Sequence, residues 1–92
     1  MKTILTNLVN SSKVFNTFIN LKYRWEDEKR YENFDDYAKV MIQAIEKETK
    51  KDIKLIKGTK RPFGLSFEID GLKFNLFLKT SGQSAWLACK KI

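Results

Sequence analysis

The chain contains no histidine, which removes the side chain that most often moves protons near neutral pH. General acid–base work would fall to carboxylates or lysines, and the scattered carboxylates have no spacing that demands a paired role. The single cysteine, Cys89, falls in the apolar run "AWLAC". It reads as a small core residue rather than a nucleophile, and one thiol forms no internal disulfide. What the sequence does concentrate is cationic and aromatic. Lys57, Lys60 and Arg61 crowd one connection, and Phe77 and Trp86 stand among Lys73, Lys79 and Lys90. Rings between lysines can stack bases while the ammonium groups hold phosphates. The same arrangement can anchor a protein partner inside a polar rim.

The charge distribution points the same way. Net charge is +7 over 92 residues, and it is uneven. Residues 1–52 carry ten Lys/Arg against nine Asp/Glu, whereas residues 53–92 carry eight against only Glu68 and Asp70. The positive field therefore belongs to the C-terminal part, where it favours encounter with nucleic acid or an acidic protein. Fifteen of the eighteen basic residues are lysine. Lysine is a flexible point charge without the guanidinium fork that reads guanine edges, so backbone contact is expected over base-specific readout.

Motif tests narrow the function further. In "KRPFGLSF", residues 60–67, Arg61, Phe63 and Gly64 match the RNA-recognition-motif signature. Pro62, Leu65 and Glu68 break it, and the order of elements differs from that fold. Gly58, Thr59 and Lys60 lack the spacing of a phosphate-binding P-loop, and a strand rather than a helix follows. No metal-ligand spacing, nucleophile elbow or glycine-rich cradle is present. The expectation is a non-catalytic protein with no cofactor and no bound metal.

The elements that must position these residues follow from periodicity. Residues 1–10 suit either a short helical turn or an edge strand, and Asn10, Ser11 and Ser12 are N-cap candidates. Val14, Phe15, Phe18, Ile19, Leu21 and Trp25 recur at helical spacing, which predicts a helix over residues 11–25. The mixed-charge stretch "RWEDEKRYENF" reads as a solvated helix end or interhelical turn. A second helix is predicted over 34–50, with Asn33 as its cap and Asp35 and Asp36 opposing the positive end of its dipole. Its apolar face is Phe34, Tyr37, Met41, Ala44 and Ile45, with Val40 at the edge. Beyond Asp52 the period becomes two. Strands are predicted at 53–57, 63–69, 72–80 and 84–91, with a basic loop at 57–62.

Asp70-Gly71 is a strong two-residue hairpin signal, because both residues tolerate positive φ. It sets Ile69 opposite Leu72, Phe67 opposite Phe74, Leu65 opposite Leu76 and Phe63 opposite Leu78. All eight side chains then share one core face. On the second face Glu68 lies opposite Lys73, Ser66 opposite Asn75, and Phe77 over the bare Gly64. The last turn leaves two registers open. A two-residue Ser81-Gly82 turn pairs Phe77 with Trp86 and Lys73 with Lys90. A three-residue loop from Thr80 to Gly82 pairs Phe77 with Ala85 and sends Trp86 to the core. The second face can also be covered by residues 1–10 or the first helix, or serve a homodimer.

These observations predict one α+β domain over residues 1–92, with two N-terminal helices on one face of a three- to four-stranded antiparallel sheet. The order is α-α-β-β-β-β. The expected function is a small basic binding or regulatory protein that engages nucleic acid or a nucleoprotein complex through Lys57, Lys60, Arg61, Lys73, Phe77, Lys79, Trp86 and Lys90. The alternative is an inhibitor or adaptor acting on an acidic protein, such as a phage or mobile-element factor that blocks a host defence. No apolar run reaches the ~20 residues of a membrane span, nor is there a signal-peptide core, which predicts a cytoplasmic protein.

Overall fold

Serine at position 11 divides the N-terminal part into two helices. A computed structural model describes residues 2–27 and 34–92. It places α1 over Lys2–Asn10, α2 over Ser12–Asp27 and α3 over Asp35–Thr49. Among the described residues the helices are therefore three, not two, because the ambiguous residues 2–10 form a helix of their own. The Ser11 N–H donates to the Leu8 carbonyl at 3.2 Å, ending α1. Its hydroxyl oxygen accepts the Val14 N–H at 3.2 Å, and its carbonyl accepts the Phe15 N–H at 3.0 Å. That is N-cap geometry: one free donor of the new helix is satisfied by a side chain. Of the three candidates, Ser11 holds the role.

Helix α3 keeps nearly the expected limits. The candidate cap Asn33 lies outside the described residues, and Phe34 occupies the N-cap position without a side-chain bond. At the other end Lys50 is left-handed, at φ 58°, and its N–H donates to the Glu46 carbonyl at 2.7 Å. The buried face is Tyr37, Ala38, Met41, Ile42 and Ile45. It is rotated toward Ala38 and Ile42, so Val40 is exposed and Ala44 only half-buried.

Four strands, β1 (Lys54–Thr59), β2 (Gly64–Ile69), β3 (Leu72–Ser81) and β4 (Ser84–Lys91), form an antiparallel meander in the order β1-β2-β3-β4. The β2–β3 register is the predicted one at every pair from Gly64–Phe77 to Ile69–Leu72. Asp70 and Gly71 both have positive φ, 52° and 79°, as a type I′ loop requires. Phe67 and Phe74 meet across the core face with ring centroids 6.0 Å apart. Strand β1 starts and ends later than expected, and a bulge between Leu55 and Lys57 pushes Ile56 outward.

The β3–β4 register is neither of the two expected. Ser81 pairs with Ser84, so the loop is Gly82-Gln83, with Gly82 at φ 60°. Glycine at the first loop position is the placement that type II′ hairpins favour. Phe77 consequently lies opposite Ala88, Trp86 opposite Lys79, and Lys90 opposite Asn75. This register differs by two residues from the two-residue alternative, and a shift of two keeps every side chain on its face. Trp86 therefore stays on the second face while Leu87 enters the core.

All three helices pack on one side. Leu8 of α1, Val14, Phe18 and Leu21 of α2, and the α3 face join Leu65, Phe67, Leu76, Leu78 and Leu87 in one buried cluster. Because α1 contributes Leu8 to that cluster, it does not cover the second face. The reading in which residues 1–10 form a lid there is corrected: Leu8 is the apolar anchor of α1, and the apolar side of the sheet takes it.

Candidate functional site

The face turned away from the helices carries the predicted cations. Lys57 of β1, Lys73 and Lys79 of β3, and Lys90 of β4 are all exposed. Glu68 is the carboxylate among them and stands opposite both Lys54 and Lys73. The centre is closed by Ser66, whose hydroxyl donates to Asn75 Oδ1 across the strands. Trp86 is 43% exposed on the edge strand, beside Lys79.

Phe77 behaves differently from Trp86. It lies on the expected face, yet it is only 8% exposed. Its partner Gly64 explains the burial. A Cβ added at Gly64 would lie 2.6 Å from Phe77 Cα and 2.8 Å from Phe77 Cβ. The strands thus approach closely, and the ring sits low between Gly64 and Ala88. Phe77 is not an open stacking surface; the exposed ring of this face is Trp86.

The basic tip is held against the helices by aromatic contacts. Phe63, just after Lys60-Arg61-Pro62, packs on Trp25 at 5.8 Å and edge-on to Phe34 at 5.5 Å, and Trp25 meets Phe34 at 5.6 Å. Edge-to-face and offset pairs at these separations add stability beyond area burial. The tip also closes on itself, with the Thr59 hydroxyl donating to the Pro62 carbonyl at 2.9 Å. On the α3 side, the Gly58 N–H donates to Asp35 Oδ1 at 3.3 Å, and the Phe34 ring occupies the space a Gly58 side chain would need.

These contacts create a cleft of about 750 Å³ at the end of the sheet. Among the described residues it is lined by Lys22, Trp25 and Glu26 of α2, by the tip residues Lys60 to Phe63, and by Phe77 to Thr80 of β3. Four predicted site residues, Lys60, Arg61, Phe77 and Lys79, converge there. Lys57, Lys73, Trp86 and Lys90 stay on the open face and do not join it. The sequence reading missed Lys22 and Trp25, since Trp25 falls on the apolar stripe of α2 and Lys22 resembles any solvated helix lysine. Lys22 Nζ lies 3.8 Å from Glu26 Oε1, a half-exposed i,i+4 pair. Among the described residues the cleft thus holds four cations, Lys22, Lys60, Arg61 and Lys79, against the one carboxylate of Glu26.

Cys89 faces the core from β4, and burial pushes its thiol up to about 11. Among the described residues, no group of three or more His, Cys, Asp or Glu side chains is placed to hold a metal. No helix among them is long and apolar enough to cross a membrane. No family model matches the chain, and no curated protein or solved structure matches it either.

Proposed function

We propose that this is a non-catalytic binding protein that engages single-stranded nucleic acid, free or within a nucleoprotein complex, through its helix-free sheet face. One observation carries the reading. Among the described residues three helices pack on one side of the sheet, while the other side presents five exposed lysines, Lys54, Lys57, Lys73, Lys79 and Lys90, and an exposed tryptophan. Lys57, Lys73, Lys79 and Lys90 would contact phosphates, and Trp86 would stack a base, worth ~1–3 kcal/mol. The Lys60/Arg61 tip extends the cationic surface beyond the sheet end.

The test is fluorescence anisotropy with a labelled oligothymidylate and a matching RNA, read as a function of salt. Four neutralised phosphates on a single strand give a log–log salt slope of roughly −2.8, or about 50-fold weaker binding between 50 and 200 mM salt. Absence of binding to any nucleic acid at low salt rejects the proposal.

A second reading rests on Trp86 itself. It protrudes from edge strand β4 beside Lys79, and a tryptophan in a polar rim is a common anchor for a protein partner. An acidic protein captured after nuclease treatment, and released by Trp86→Ala, would favour this reading if nucleic acid fails to bind.

A further inference from the structure

We infer that the cleft at the end of the sheet receives one unstacked base of a single strand, with the adjoining phosphates held by Lys22, Lys60 and Arg61. This inference rests on the nucleic-acid reading above and names what that surface selects. Three observations support it. Phe77 and Lys79 belong both to the open sheet face and to the cleft wall. A strand following the lysines of β3 therefore runs over the sheet end into the cleft. At about 750 Å³ the cleft falls within the usual range for small-ligand sites. Its walls pair apolar and ring surface, from Trp25 and Pro62, with cations at the rim.

That combination suits a flat base carrying phosphates and excludes a duplex, whose bases are stacked and paired within the helix. A base must leave the stack to enter a pocket, which is least costly for a strand that is already single. Lys22 distinguishes the cleft from the sheet face, because it lines the cleft from α2 and is not on the sheet. Binding by the sheet alone has little use for it.

The chain has two tryptophans, so Trp86→Phe leaves Trp25 as the sole indole emitter and reporter of the cleft. The probes are octathymidylate, a duplex of equal length and thymidine monophosphate, each titrated with anisotropy read in parallel for the labelled octamer and duplex. The expected result is saturable quenching of Trp25 by the octamer, with anisotropy but no quenching from the duplex. Lys22→Glu and, separately, Thr80→Glu at the exposed end of β3 should each weaken octamer binding about tenfold or more. Thermal melts confirm that both variants fold. Lys90→Glu, on the open face but outside the cleft, should weaken binding yet leave the quenching at saturation unchanged. If the octamer binds by anisotropy with Trp25 emission unaltered, or if both cleft variants bind within twofold of the parent, the cleft inference fails and the sheet-face reading stands. Quenching by the mononucleotide at the octamer's own concentrations would overturn a strand as the occupant. No anisotropy change with any probe rejects both proposals.

Discussion

Replacing Gly64 with alanine tests the closest approach in the sheet and the reason Phe77 is buried. Gly64 has no positive φ, so alanine should suit its backbone. Reduced freedom of the unfolded chain would then stabilise the variant by ~0.4–1 kcal/mol. The structure predicts the opposite sign. The added Cβ would lie 2.6 Å from Phe77 Cα, with the Leu76 carbonyl oxygen closer still. Both obstacles are backbone on the neighbouring strand, so no rotamer change relieves them. Strands β2 and β3 must separate locally, weakening ladder bonds worth ~0.5–1.5 kcal/mol each, on top of an overpacking cost of ~1–3 kcal/mol. The net expectation is a loss of about 2–3 kcal/mol, which for a domain of this size lowers Tm by roughly 8–24 °C. Thermal and urea unfolding followed by circular dichroism measure it, with an unchanged m-value confirming that native stability is what moved. Gly82→Ala is the control. Nothing lies within 4 Å of its added Cβ, and its φ of 60° charges only the left-handed strain, ~1–2 kcal/mol. A Gly64→Ala protein as stable as the parent, or more stable than Gly82→Ala, would refute the argument.

Further perturbations separate the roles assigned above. Ser11→Ala should cost ~1 kcal/mol through loss of the α2 cap, measured by urea unfolding, whereas exposed Ser12→Ala should stay within ~0.5 kcal/mol. Phe77→Ala, which opens a void over Gly64, should destabilise by about 3 kcal/mol or more. Trp86→Ala should cost less than about 1 kcal/mol by the same measurement, because the ring is already half in water. Cys89, with its thiol raised from 9.0 to about 11, holds roughly 100-fold less thiolate near neutral pH than an unperturbed cysteine. Its reaction with a disulfide reagent should be slow in the native protein and fast in urea. Because the fold favours the neutral thiol, its contribution to stability is complete below pH 9.0 and declines as pH rises from there to about 11.

How far the site could be read in advance depends on which forces place each residue. The Asp70-Gly71 turn is a local signal, and a local signal sets a register without knowledge of the rest of the fold. The whole β2–β3 ladder, the core pairs and the seating of Phe77 against Gly64 follow from it. The last turn had no such unique signal, since a single glycine serves either loop position. Gly82 took the first one, so every β3–β4 pair lies two residues from the two-residue alternative, on that alternative's faces and not on those of the three-residue loop. The separate α1 helix was ambiguous because its apolar residues, Ile4, Leu5, Leu8 and Val9, have too short a run to distinguish periods. The cleft was beyond reach for a different reason. Lys22 and Arg61 are distant in the chain, and long-range packing, including the Trp25–Phe34–Phe63 contacts, brings α2 against the β1–β2 tip. The same long-range packing sorts the two rings that local reading had paired. Contact with Gly64 draws Phe77 down into the sheet, and the edge position of β4 leaves Trp86 in water. Binding at the open face should therefore depend on Trp86 directly, and on Phe77 only through the shape of the cleft wall it helps to build.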